Sequence, residues 1–72
     1  MNFTKMVVFM IKVVITLRNN VIFTKTYYKN IFNKITKALE ANTDVKKYSV
    51  IEYKDGKIIR TKEKSHEISV LD

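Results

Sequence analysis

The chain has seventy-two residues with fourteen Lys and Arg against seven Asp and Glu, a formal net charge of +7. Such a length allows a single domain over residues 1–72 that buries only about 60% of its unfolded surface, with a stability of roughly 3 to 5 kcal/mol. The absence of cysteine excludes a disulfide framework or a thiolate metal site and sits easily with a reducing cytoplasm.

With no proline and one glycine, Gly56, little interrupts regular structure, so the chain is expected to fold throughout. The most apolar run, Met6 to Leu17, covers twelve residues and is broken by Lys12. A spanning helix needs about 20 apolar residues, and no small-residue cleavage pattern follows, so neither a membrane span nor a signal peptide is expected. Met6 and Met10 offer alternative translation starts, which leaves open residues 1–9 as an upstream extension.

Phe9, Ile11, Val13, Ile15 and Leu17 alternate with Lys12, Thr16 and Arg18, the period of two that marks a strand. A second β-rich run over residues 21–27 makes the pair a hairpin. A two-residue loop of Asn19 and Asn20 sets Leu17 opposite Ile22. A three-residue loop of Arg18 to Asn20 sets Ile15 opposite Phe23 and gathers the apolar side chains on one face, with Asn20 in the left-handed region, and this register is preferred. It turns Lys25 toward the apolar side, where either its stem covers core surface or the other face is the buried one at that end.

From Tyr28 the period changes. Tyr28, Ile31, Phe32, Ile35 and Leu39 follow i, i+3, i+4, i+7 and i+11, predicting an amphipathic helix over residues 28–41 with Thr26 or Asn30 as N-cap and Asn42 as terminator. Two β-rich runs, 46–53 and 57–64, flank Asp55-Gly56, the dipeptide best suited to a type I′ turn. A turn near Lys64 and Ser65 and a short fifth strand, HEISVL, complete the chain. The fold class is α+β: a small antiparallel sheet in ββαββ order, with a fifth strand, and one amphipathic helix packed across one face.

Charge is unevenly placed. Residues 1–42 carry six lysines and Arg18 against Glu40 alone, a net +6, whereas residues 43–72 carry six lysines and Arg60 against six acids, a net +1. The wet side of the helix, with Lys29, Lys34 and Lys37, is cationic for three turns, and reads either as a solvated lysine face or as a dock for a polyanion. Lys29 in the first turn and Glu40 in the last oppose the helix dipole. Single-strand binders need exposed rings for stacking. The helical phase places Tyr28 and Phe32 in the core and leaves Tyr27 as the exposed ring.

No chemistry-bearing constellation stands out. His66 has neither a cysteine nor a second histidine beside it, and no cofactor or metal is implied. Glu52, Glu63 and Glu67 face Arg60, Lys62 and Lys64 as cross-strand ion pairs rather than paired catalytic carboxylates. A non-catalytic binding module is expected, with Lys12, Arg18, Lys25, Tyr27, Lys29, Lys34 and Lys37 as its partner-binding residues. The partner is nucleic acid or an acidic protein surface such as that of a nucleic-acid-handling protein. The alternative is a small inhibitor or adaptor that occupies a partner protein through a strand edge or the basic face. A homodimer is a third option. Twelve lysines to two arginines, with nine isoleucines and six asparagines, resemble coding from an AT-rich genome, where small accessory proteins of bacteria and phages are common.

Overall fold

A computed structural model of the chain describes residues 7–65. In chain order the elements are β1 (Phe9–Leu17), β2 (Ile22–Tyr27), α1 (Phe32–Ala41), β3 (Val45–Lys54) and β4 (Lys57–Ser65). The four strands form one antiparallel sheet in the order β2-β1-β3-β4, with α1 packed on one face, so the α+β class and the ββαββ order hold. Both β2 and β3 pair with β1, so the connection through α1 crosses over β1. The expected fifth strand over residues 66–71 lies outside the described residues.

Both hairpins follow from their turn residues. In the first, Ile15 pairs with Phe23, and the Leu17 N–H donates to the Val21 carbonyl (2.9 Å), the register of a three-residue loop. Asn20 takes φ 68°, and the Asn19 side chain accepts from the Val21 N–H (3.1 Å), two roles that asparagine fills well. In the second, Asp55 and Gly56 have φ 50° and 82°, the paired positive values of a type I′ turn. Asp55 also anchors the start of β1, because its carboxylate accepts from the Val8 N–H (3.1 Å) while its own N–H donates to the Val8 carbonyl (2.9 Å). A Cβ at Gly56 meets no atom within 4 Å, so the penalty of Gly56→Ala comes from the backbone alone. It is expected to destabilise by about 1 kcal/mol. Gly56→Asn, which tolerates this region, should lower the urea midpoint less than Gly56→Ala does.

Register decides which residues become core. Ile11 and Val13 on β1 lie across from Glu52 and Val50 on β3, and all four face α1. Phe32 and Leu39 close over them, joined by Val45 and Tyr48 at the other end of β3, with Ile31 and Ile35 at the margin. The opposite face of the sheet carries Lys12, Val14, Ser49, Ile51 and Tyr53, and no helix among the described residues covers it.

The helix is shorter than its periodicity suggests. It begins at Phe32 rather than residue 28, and neither Thr26 nor Asn30 caps it: Ile31 is the N-cap and makes no side-chain cap bond. Pairing of Ile11 with Tyr27 keeps the chain extended through residue 27. Residues 28–31 then turn it over the sheet, with the Ile31 N–H donating to the Lys29 carbonyl (3.0 Å). Strand β4 also runs through Ser65, paired with Lys47, where the sequence suggests a turn near Lys64 and Ser65.

Candidate functional site

The same register reverses the roles of two tyrosines. Phe23, Lys25 and Tyr27 alternate onto the α1 side of β2, so Tyr27 packs half-buried against the core and is not the exposed ring. Tyr28, placed in the core by helical phase, precedes α1 instead and is 70% exposed. Phe32 and Leu39 are buried as their spacing implies. Tyr28 is the most exposed ring among the described residues, followed by Phe23, and it stands next to Lys29 in the chain.

Lys34 and Lys37 are exposed on the side of α1 turned away from buried Phe32, Thr36 and Leu39. Lys29 lies in the β2–α1 connection, not in the helix, so the lysine in the first turn is Lys34; no acid accompanies it there. Lys25 is exposed opposite Val13 and lines a shallow groove of about 220 Å³ with Ile15, Phe23, Leu39 and Val45, its stem lying over apolar surface. None of Lys25, Lys29, Lys34 and Lys37 forms an ion pair with a described residue.

Two of the expected binding residues stand elsewhere. Lys12 projects from the open face of the sheet, its ammonium 5.5 Å from the centre of the Tyr53 ring. Arg18 clamps the first hairpin to the α1–β3 connection: its Nε donates to the Thr43 carbonyl (2.6 Å) and its N–H to the Asp44 carbonyl (2.9 Å). The described cations of the first forty-two residues are thus divided between two faces and one end of the sheet.

The β4 side of α1 is electrostatically closed. Glu40 Oε1 accepts from the Tyr48 hydroxyl (2.8 Å) and pairs with Lys62 (2.8 Å) and Lys64 (3.8 Å). This corrects the expected cross-strand pairing of those lysines. Lys62 and Lys64 pair with Val50 and Tyr48 and so face α1, whereas Glu63 pairs with Ser49 on the far face. Arg60 does pair with Glu52 across the hairpin (2.8 Å), and Glu67 lies outside the described residues. These contacts also explain how an acid is accommodated in the last helical turn.

The Lys62 hydrogen bond, seconded by Tyr48, lowers the Glu40 carboxyl from an ordinary 4.5 to about 2. Burial, with the Glu40 contact second, pushes the Tyr48 hydroxyl up to about 12. A carboxylate that titrates lower in the folded state than in the unfolded state contributes stability above the unfolded value and loses it as pH falls toward the folded one. Thermal stability should therefore fall between about pH 5 and pH 2, and Glu40→Gln should show a smaller fall across that window. Equal falls in the two proteins would place the acid sensitivity elsewhere.

Among the described residues, no three His, Cys, Asp or Glu side chains lie close enough to hold a metal ion, and no helix is long and apolar enough to cross a membrane. The arrangement is that of a four-stranded antiparallel sheet with one helix on one face, Lys34 and Lys37 exposed on the helix's outer side and Tyr28 exposed in the connection before it. The chain matches no family model, no curated protein and no solved structure.

Proposed function

We propose that this protein is a small non-catalytic module that docks on single-stranded nucleic acid, using Lys25, Lys29, Lys34 and Lys37 to neutralise phosphates and Tyr28 to stack a base. The observation that carries this reading is the asymmetry around α1. On the β4 side Glu40 and Glu52 engage Arg60, Lys62 and Lys64, whereas Lys34 and Lys37 on the outer side of α1, Lys29 before it and Lys25 on β2 pair with no acid among the described residues, and the Tyr28 ring next to Lys29 is exposed. A cationic track with an accessible aromatic ring is the combination that binds single strands without reading sequence. The cytoplasm, where nucleic acid is accessible and cysteine-free composition costs nothing, is the compartment this role implies.

The test is an anisotropy titration of a labelled single-stranded oligonucleotide and its duplex. Tyr28→Ala should weaken single-strand binding roughly tenfold, since stacking on one ring contributes about 1 to 3 kcal/mol. Duplex binding should change little, and so should the melting temperature, because the ring is exposed. Wild-type protein that binds neither probe at low salt would rule the function out.

A protein-binding adaptor is the second reading, favoured by the sheet edges. All nine residues of β4 are exposed, and β2 presents Phe23 in the groove lined by Leu39 and Val45 and an exposed Ile22 on its other face. Exposed strand edges recruit partner strands, including those of a second copy of the chain. Capture of a stoichiometric protein complex that survives nuclease would select this reading over the first.

A further inference from the structure

We propose that Arg60 is an additional phosphate-gripping residue of the same interface, an inference that rests on the nucleic-acid reading above and extends it into the near-neutral C-terminal third. Counted by charge, Arg60 merely balances Glu52. Its geometry goes further. The Nε–H donates to Glu52 Oε1 at 2.8 Å, and the guanidinium carbon stands 4.5 Å from the centre of the Phe32 ring. Glu52 is fully buried and Phe32 nearly so, whereas the Arg60 side chain is 45% exposed. A half-exposed guanidinium is thus held from two directions by groups that cannot themselves move.

The pairing uses only a fraction of what the side chain offers. Glu52 Oε2 has no hydrogen-bond partner, so the contact is a single bond rather than a two-bond fork. Guanidinium carries five N–H donors in one plane, and the four on the terminal nitrogens bond to no described residue. They form a planar fork matched to the oxygens of a phosphate. Most free arginines lose rotamer freedom when they grip an anion; here the carboxylate and the ring have already fixed the plane, so less entropy remains to be lost.

Place strengthens the case. Phe32 is the first residue of α1, so Arg60 meets the helix three residues after Lys29 and two before Lys34. A strand following the lysine row and stacking on Tyr28 passes this end of the helix. The ligand class is the phosphodiester of a nucleic-acid backbone, and Arg60 is its one bidentate anchor among lysines that act as point charges.

Arg18 and Arg60 are the only arginines in the chain, so side-chain spectra of the full-length, nitrogen-labelled protein carry one candidate and one internal control. Titration with a single-stranded oligonucleotide should shift the Arg60 guanidinium signals and slow rotation about its Cζ–Nε bond, while Arg18, tied to the Thr43 carbonyl, stays put. Arg60→Lys keeps a positive charge beside Glu52 but removes the fork, and its affinity should fall roughly tenfold with the folded circular-dichroism spectrum retained. Arg60 signals unmoved at saturation, or wild-type affinity in a folded Arg60→Lys variant, overturns the proposal while leaving the lysine interface intact. Failure of the wild-type protein to bind any oligonucleotide at low salt overturns both.

Discussion

Replacing Lys29, Lys34 and Lys37 together by glutamine is expected to lower affinity for a single-stranded oligonucleotide by about two orders of magnitude near 0.1 M salt. The magnitude follows from counterion release. Each lysine that neutralises a phosphate on a single strand contributes about 0.7 to the slope of log affinity against log salt. Three such contacts make about two logarithmic units at 0.1 M, and the slope itself should flatten by about two. Because all three side chains are exposed and none pairs with a described acid, the variant should melt with the wild type. Lys12→Gln is the matched control: it removes the same charge from the open face of the sheet, and affinity should change little. Equal losses from Lys12→Gln and from any one of the helix-side lysines would mean that the protein is merely a diffuse cation. Isothermal titration over a salt series checks both points.

The largest effect on stability is expected at Arg60. Glu52 is buried on an inner strand, and its carboxylate has one hydrogen bond, from Arg60. Removing one partner of a buried pair leaves a charge without compensation, at 3 to 5 kcal/mol; the half exposure of Arg60 puts this case near about 3 kcal/mol. In a domain this small that approaches the whole stability. Arg60→Ala should therefore be close to its unfolding midpoint in buffer without denaturant at 25 °C. The pair itself is worth much less than the loss of one member, so Glu52→Met combined with Arg60→Leu should recover most of the stability. Urea unfolding of the three proteins decides the matter. An Arg60→Ala protein whose midpoint matches wild type would mean that Arg60 does not hold Glu52.

How much of this was legible in the residues depends on how local the controlling physics is. Asp55-Gly56 and Asn20 dictate their turns through backbone conformations that few other residues accept; the first hairpin follows from the sequence with its register and the second with its turn, while a bulge between Glu52 and Tyr53 shifts the pairing beyond it so that Glu52 meets Arg60. The stripe of buried Phe32 and Leu39, with Ile35 at its margin, is likewise a local periodicity. The start of α1 is not local. Tyr28 fits the helical phase of that stripe by coincidence, and only the β2 pairing, with Tyr27 held opposite Ile11, decides that residue 28 lies outside the helix. A signal was nevertheless present: once Ile15 is set opposite Phe23, alternation alone sends Tyr27 inward and Tyr28 outward.

Long-range pairings leave weaker traces. Strand order, and with it the contact of Lys62 and Lys64 with Glu40, depends on β3 inserting between β1 and β4, which no short-range pattern encodes. Arg60 was hidden for a different reason. A charge count sets it against Glu52 and cancels both, whereas burial of one partner and stacking of the other on Phe32 make the pair asymmetric. Lys12 and Arg18 illustrate the converse, since proximity in sequence to the basic helix does not bring them to its flank.

The central claim is that the lysines beside α1 act together on one polyanion, and the salt dependence of wild-type binding tests it most directly. Four phosphate contacts on a single strand predict a log–log slope of about −3. Binding that persists with a slope near zero between low and moderate salt would contradict it, because four cooperating ammonium groups cannot hold a polyanion without releasing its counterions.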